Sequence, residues 1–209
     1  MSTTDASGDV MTERPRKGQR TRLRILDAAA DVLAREGYAA ATLTEIAAVA
    51  EMQAGSLYYH FDSKDAIVEE VLRVGIDHAN ASICEAVASV GPEGNGHDRL
   101  LAAMVAYTKN VVAESNYTQA NIRCFEEAPQ ATRDALAVPL RAFANMWVDM
   151  ITAGQQDGSL RLGIDARVIA RMTISAVNSC VNWYQPQGAL SVEQVAGMYA
   201  SALVDGLST

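Results

Sequence analysis

Apolar residues recur every three to four positions along nearly all of this 209-residue chain, which is the spacing of one face of an α-helix. Strict two-residue alternation, the pattern of a half-buried strand, does not occur in the sequence. The periodic stretches cover approximately residues 19–36, 42–50, 55–58, 63–87, 98–115, 117–128, 131–157, 165–183 and 191–203. The pattern therefore predicts an all-α fold.

Several of these helices carry sequence signals for their ends. Thr42 with Glu45 and Ser191 with Gln194 have the spacing of capping boxes, in which the hydroxyl accepts the third amide and the longer side chain reaches back to the first. Pro139 falls inside the seventh stretch, and proline is tolerated in a first helical turn but kinks a helix interior. We therefore expect a short helix before Pro139 and a longer one after it.

Two short helices lie close together in TLTEIAAVAEMQAGSLYYHFDSK, residues 42–64. The second must run through Gly55–Tyr58, because Leu57 and Phe61 repeat at the four-residue spacing of one helical face. Two short helices joined by a tight turn form a helix-turn-helix. The second helix begins with small residues, so its exposed backbone amides suit an anionic partner such as phosphate.

Charge is distributed unevenly along the chain. The net charge is −8, but residues 14–64 hold eight basic and six acidic residues, whereas residues 65–209 hold nine basic and sixteen acidic ones. The run from Arg14 to Arg24 contains six cations and no acid. Positive charge beside the helix-turn-helix is what phosphate binding requires, although a merely solvated basic tail is the plainer alternative. Residues 1–15 are polar and show no periodicity, and we expect them to be disordered.

These motifs give the stretch a family resemblance. The segments TLTEIA, GSLYYHF and SKDAI fall, without gaps, at spacings that resemble the DNA-binding domain of the tetracycline-repressor (TetR) family. The resemblance implies a three-helix DNA-binding domain over residues 16–64 and a larger helical domain for ligand binding and dimerisation over residues 65–209. The chain departs from the family pattern at Glu51, where the turn usually has glycine, and at Gln53, where serine usually opens the recognition helix. Glu51 is expected to bring negative charge near DNA and to loosen the turn.

The same resemblance implies which residues contact DNA. Those implied near phosphates are Thr42, Ser56, Tyr59, His60 and Lys64. Those implied near base edges are Thr44, Ala54, Gly55 and Tyr58, with Gln53 opening the recognition helix. Hydroxyl and ammonium groups suit phosphate contacts, whereas small side chains allow close approach to thymine methyl groups. The expected partner is a palindromic double-stranded operator bound by a dimer.

The central helices carry a stripe of aromatic and methionine residues. Such stripes more often belong to a core than to a ligand pocket, and both interpretations remain open. Arg123 and Asn178 are polar residues within apolar helical stretches, where they could orient a ligand or satisfy internal carboxylates such as Glu126. The candidate ligand-binding residues are Tyr107, Arg123, Phe143, Trp147, Met150, Met172 and Asn178.

The last two helices contain SAVNSCVNWY and VAGMYASALVDGL, which are poor in charge and rich in small residues. Such helices suit close packing on two sides, either within the chain or in a four-helix bundle with a second copy. The TetR resemblance implies the homodimer. In addition, MWVDM together with WYQPQGALSVEQV resembles actinobacterial TetR members that respond to coenzyme A thioesters of sterol-derived or fatty acids. That resemblance implies a small hydrophobic ligand, either an acyl-CoA or another hydrophobic metabolite.

Other functional classes have little support in the sequence. Signatures of common hydrolases, phosphate-binding loops and metal sites are missing, so we predict neither an enzyme nor a cofactor or metal. Cys84, Cys124 and Cys180 lie far apart in apolar stretches and are expected to be buried free thiols. No apolar run is long enough to cross a bilayer and the polar start lacks a signal-peptide core, so we expect a cytoplasmic protein without a membrane partner.

The sequence therefore predicts a ligand-responsive transcriptional repressor. Two alternatives stay open at this point. A multidrug-type regulator of an efflux gene would bind chemically unrelated cations. A small helical enzyme acting on acyl thioesters would need a nucleophile or a base inside its pocket.

Overall fold

The computed structural model describes residues 17–207, which form an all-α protein, as expected. The helices are α1 (Lys17–Ala40), α2 (Leu43–Val49), α3 (Ala54–Leu57), α4 (Lys64–Ser89), α5 (Gly96–Lys109), α6 (Asn116–Cys124), α7 (Gln130–Gln156), α8 (Ala166–Trp183) and α9 (Val192–Val204). A π-helical turn, Asn110–Glu114, follows α5, and a 3-10 turn, Asp205–Leu207, follows α9. The predicted disordered tail, residues 1–15, lies outside the described residues.

Helices α1 to α3 share one small hydrophobic core. Ile25 and Leu33 of α1, Ile46 of α2 and Leu57 of α3 are all buried there. Helix α1 extends beyond the expected end, but Gly37 interrupts it with φ 80°, a left-handed conformation that glycine adopts without steric cost. The break redirects the chain toward α2.

Helix α4 connects this N-terminal unit to the rest of the chain. Ser63 begins the helix by accepting a hydrogen bond from the amide of Ala66 at 3.1 Å. The helix packs against α1 on one side and against α5, α6 and α7 on the other. Its buried residues, including Leu72 and Ile83, therefore belong to a core that continues from one half of the chain into the other.

Helices α5 and α6 are shorter than the sequence predicted. Regular α-helix ends at Lys109, and Ser115 adopts an extended conformation with φ −143°. The Ser115 hydroxyl then caps α6 by accepting from the amide of Thr118 at 3.2 Å. A serine that competes for backbone amides in this way ends one helix and begins the next.

The expected break at Pro139 does not form, because α7 is one continuous helix of 27 residues with Pro139 inside it. Proline at this position removes the hydrogen bond to the carbonyl of Ala135, four residues earlier, and its ring crowds that carbonyl. Ala135 is exposed to solvent, so water can satisfy that carbonyl. Packing of the buried face of α7, which includes Phe143 and Trp147, outweighs the single lost bond.

The prediction of three buried thiols was wrong for one of them. Cys84 is exposed on α4, whereas Cys124 and Cys180 are buried. All three are free thiols. Burial raises the pKa of Cys124 to about 11 and also raises the pKa of Cys180. Within residues 17–207, no helix is both long and apolar enough to cross a membrane.

Candidate nucleic-acid interface and ligand cavity

Thr42 positions the first helix of the helix-turn-helix. Its hydroxyl accepts a hydrogen bond from the amide of Glu45 at 3.1 Å, as the sequence predicted. In the described part of the chain the reciprocal half of the capping box does not form, because the Glu45 carboxylate lies 3.7 Å from the Arg35 guanidinium instead. The predicted box at Ser191 and Gln194 does form completely. Arg35 therefore ties α1 to the start of α2.

The turn between α2 and α3 is closed despite Glu51. This residue has φ 54°, the left-handed conformation that glycine adopts more readily than any residue with a side chain. The amide of the next residue, Met52, donates to the carbonyl of Ala47 at 2.8 Å. The expectation of a looser turn was therefore wrong. The chain keeps the glycine-like geometry and accepts backbone strain of roughly 1–2 kcal/mol.

The recognition helix α3 buries one side and exposes the other. Leu57 and Phe61 point into the core, as their spacing predicted. Tyr58 and Tyr59 are 60% and 88% exposed, which is unusual for large aromatic side chains and typical of a contact surface. Of the remaining residues predicted to contact DNA, those exposed are Thr42, Thr44, Gln53 and Gly55, and those half-buried are Ala54, Ser56, His60 and Lys64.

Two cations beside this surface join α1 to α4. The Lys64 ammonium donates to the carbonyl of Tyr38 at 2.6 Å and lies 4.5 Å from the centroid of the Tyr38 ring. Burial and a hydrogen bond to Asp65 raise the pKa of the Tyr38 hydroxyl to about 12, so this tyrosine stays neutral. Arg22 lies 4.1 Å above the ring of Phe61 and also pairs with Glu70. Lys64 is thus a positioned charge rather than a freely moving one.

A small cavity of about 70 Å³ lies between α4, α5, α6, α7 and α8. Three of the predicted ligand-binding residues, Tyr107, Phe143 and Asn178, line it together. The Tyr107 hydroxyl donates to the side-chain oxygen of Asn178 at 2.5 Å. Burial raises the pKa of Tyr107, so the hydroxyl stays protonated as a donor. The remaining lining residues are Gly75, Ile76, Ala79, Thr118, Asn121, Ile122, Leu140 and Ile174.

The other predicted ligand-binding residues lie elsewhere. Trp147 is fully buried behind the cavity wall, with its ring 5.7 Å from that of Tyr107 and 6.3 Å from that of Phe143. Met150 is half-buried on α7. Met172 is 61% exposed on α8, in an open groove with Arg167 and Arg171, so placing it in the central cavity was wrong.

Arg123 does not line the cavity either. Its guanidinium is exposed and donates to the carbonyl of Val181 at 2.9 Å, near the end of α8. Sequence reasoning offered a ligand or the Glu126 carboxylate as its partner. The structure instead uses Arg123 to join α6 to α8, because a helix end presents carbonyls that a cation can satisfy.

Sequence reasoning missed the residues that hold α6 in place. Thr118 donates to the side-chain oxygen of Asn110 at 2.5 Å and to the carbonyl of Gly75 at 3.2 Å. Asn121 donates to the carbonyl of Leu72 at 2.9 Å. The signal was present, since Thr118 and Asn121 are polar residues on an otherwise apolar face, but their partners are distant in the sequence.

Helix α6 faces the cavity on one side and α1 on the other. The Tyr117 hydroxyl donates to the carboxylate of Asp27 at 2.6 Å, and the Cys124 thiol lies 3.6 Å from the carbonyl of Leu33. Both partners belong to α1. Among the described helices, α1 and α6 form the most extensive helix–helix contact. A displacement of α6 therefore acts directly on the helix that supports the helix-turn-helix.

Family models match the N-terminal and the C-terminal part of this architecture. The model for the tetracyclin repressor-like C-terminal domain matches residues 93–207, and the model for bacterial regulatory proteins of the tetR family matches residues 25–71. The chain belongs to the TetR family. Its helix-turn-helix is thus the DNA-binding unit of a TetR-family transcriptional regulator.

Individual relatives agree with this assignment. The HTH-type transcriptional repressor KstR2 of Rhodococcus jostii RHA1 is 33% identical over 198 residues, which cover 93% of each chain. The structure of the ketosteroid transcriptional regulator KstR2 of Mycobacterium tuberculosis has a TM-score of 0.75 at 27% identity and covers 90% of this chain and 95% of that one. The structure of AibR in complex with isovaleryl coenzyme A and operator DNA has a TM-score of 0.79 at 23% identity, covering 88% and 98%.

The relatives also decide between regulator and enzyme. Because they are TetR-family transcriptional regulators, this TetR chain is a regulator and the acyl-thioester enzyme is excluded. Residues 17–207 contain no cluster of three or more metal-binding side chains.

Proposed function

We propose that this TetR-family chain is a cytoplasmic, dimeric repressor that binds a palindromic operator and is released by an acyl-CoA thioester. The observation that carries the proposal is the position of α6, which forms one wall of the cavity and packs on α1. The cavity volume of about 70 Å³ is far smaller than an acyl chain, so binding must enlarge it. Movement of α6 is the route by which enlargement would reach the DNA-binding unit.

On the DNA side, the ten predicted contact residues divide by chemistry. Tyr58 is exposed at the end of α3 and would face base edges, whereas Tyr59 and Lys64 would contact phosphates. Replacing Tyr58 with alanine should reduce discrimination between operator and random DNA. Equal affinity losses on both DNAs, measured by fluorescence anisotropy, would contradict a base-reading role for Tyr58.

On the dimer side, α8 and α9 carry apolar side chains that residues 17–207 leave exposed. Val168, Met172 and Met198 are each more than half exposed. Because Val168 and Met172 are four residues apart, they lie on one face of α8. A second copy packed on this face would form the four-helix bundle that the sequence suggests.

Sedimentation can test the dimer directly. Met172→Arg and Met198→Glu should each shift the protein from dimer to monomer, because a charge would be buried without a partner and Met172 already lies beside Arg167 and Arg171. Leu162→Glu is the matched control, since Leu162 is 77% exposed outside both helices and should tolerate the same change. A dimer that survives both substitutions on α8 and α9 would place the interface elsewhere.

For the ligand, the chemistry of the cavity favours an acyl group over a cation. Among the described residues, none of those lining the cavity is an aspartate or a glutamate. A buried cation would therefore lack a counter-charge, which argues against the multidrug alternative. The AibR complex with isovaleryl coenzyme A supports a thioester ligand, and the KstR2 structure, which is named as a ketosteroid regulator, supports a sterol-derived acyl group.

The decisive experiment is anisotropy binding to labelled DNA that flanks the protein's own gene, with and without a panel of acyl-CoA thioesters. We expect tight, salt-sensitive binding that one class of thioester releases. Binding that no thioester disturbs would reject the ligand class and keep the repressor. A lack of specific binding would reject the operator proposal itself.

A further inference from the structure

The indole N–H of Trp147 is a buried donor with no acceptor among the residues that the structure describes. Trp147 itself is 0% exposed. A buried polar group without a partner is costly, and the large majority of such groups are hydrogen-bonded. Phenylalanine would fill much of the same space without that cost, so the N–H is the feature of Trp147 that packing alone does not explain.

The surroundings connect this donor to the cavity. The rings of Tyr107 and Phe143, which line the cavity, lie 5.3 Å apart and both contact the Trp147 ring. The Tyr107 hydroxyl already has its acceptor in Asn178. A ligand that enlarged the cavity by displacing these two rings would come against Trp147, whose N–H has no acceptor among the described residues.

The chemistry of the acceptor follows from the charges nearby. Among the described lining residues there is no lysine, arginine or histidine to neutralise a buried anion. A carboxylate in this apolar site would be expensive to bury, so the acceptor has to be neutral. Coenzyme A is large and anionic, and it must stay at the solvent side of an apolar cavity. The neutral oxygen therefore lies on the buried end of the acyl group, away from the thioester.

We propose that Trp147 determines ligand specificity by donating its indole N–H to a neutral carbonyl oxygen at the buried end of the acyl chain. This inference rests on the proposed acyl-CoA-responsive function and adds the chemical feature that the acyl group must carry. A purely hydrocarbon acyl group would leave the donor without a partner and would bind less well.

The test compares two probes that differ in one oxygen. These are octanoyl-coenzyme A and its analogue with a ketone on the carbon next to the chain end. In anisotropy titrations the ketone analogue should release labelled DNA at a roughly tenfold lower concentration, which is the range expected for one hydrogen bond to a buried donor. In Trp147→Phe this preference should disappear, whereas the matched control Trp183→Phe should keep it.

Emission provides a second measurement that does not depend on the Trp147 variant. The chain has two tryptophans, so Trp183→Phe leaves Trp147 as the only tryptophan emitter. At saturating ligand, its emission should move further to longer wavelength with the ketone analogue than with octanoyl-coenzyme A.

The outcomes separate the inference from the proposed function. Release by both probes at equal concentration, or a preference that persists in Trp147→Phe, overturns the role of Trp147 and leaves the thioester-responsive repressor intact. If neither probe releases DNA and neither changes the emission, the thioester ligand and the inference are overturned together.

Discussion

Gly75 allows α6 to lie directly against α4, and adding a single methyl group there tests how tightly the two helices must fit. A Cβ at this position would lie 2.3 Å from the carbonyl oxygen of Tyr117 and 3.1 Å from the Cβ of Asn121. Backbone cannot rotate away as a side chain would, so Gly75→Ala has to push the start of α6 outward by about an ångström to reach normal contact distance.

The net effect on stability combines two opposing terms. Overpacking of a core contact costs roughly 1–3 kcal/mol, and replacing a mid-helix glycine with alanine returns about 1 kcal/mol of helix propensity. We expect Gly75→Ala to be less stable by about 1 kcal/mol, which corresponds to a fall of roughly 2–4 °C in melting temperature for a chain of this size.

The functional effect should be larger than the loss of stability. Because Tyr117 is hydrogen-bonded to Asp27 of α1, the displaced helix would move the DNA-binding unit even without ligand. Operator affinity, measured by anisotropy well below the melting temperature, should therefore fall in the fully folded variant. Gly18→Ala is the control, since the added Cβ meets no described atom within 4 Å other than its chain neighbours and the backbone of its own helix. A Gly75→Ala protein with native melting temperature and operator affinity would refute the role assigned to α6.

Three further changes test other parts of the molecule. Glu51→Gly should have a free energy of unfolding about 1 kcal/mol higher than Glu51→Ala, because only glycine relieves the left-handed strain. Both variants should bind random DNA more tightly, because both remove a negative charge. Equal stability of the two variants in urea would disprove the strain. Lys64→Ala should weaken binding to all DNA sequences and reduce the slope of log affinity against log salt concentration by about one. Lys64→Arg should keep most of the affinity and of the salt slope. An unchanged salt slope in the alanine variant would exclude Lys64 from the phosphate contacts. At neutral pH a thiol reagent should label Cys84 alone. Since folding raises the pKa of Cys124 from 9.0 to about 11, the folded protein retains this proton, and the stability it contributes should be lost as pH rises through that interval. Cys124→Ala should show a shallower decline.

The features predicted correctly from the sequence are those encoded locally. Thr42 and Ser191 both cap helices as their spacing indicated, because a cap depends on residues within one turn. The order and type of the helices follow from the same local periodicity. The helix-turn-helix could be recognised because its buried residues, Leu57 and Phe61 among them, are close in sequence.

The features that could not be predicted depend on partners far away in the chain. The continuity of α7 through Pro139 is decided by tertiary packing, and the exposure of Cys84 by which face of α4 remains uncovered. The cavity combines residues from five helices, and periodicity within one helix does not show which residues meet there. It could not distinguish Tyr107 and Phe143, which line the cavity, from Met172, which does not. The contact between Gly75 and Tyr117 has no local signal at all.

The packing of α1 on α6 also limits how the chain can be divided. A fragment that ended near residue 64 would contain the whole helix-turn-helix, yet it would uncover the side of α1 that α6 now protects. Buried alanines and leucines of α1 would meet water, and the Asp27 carboxylate would lose Tyr117. Recombination that exchanged the N-terminal unit between two regulators would therefore have to preserve the surface of α6 as well, so in evolution these two helices are expected to change together.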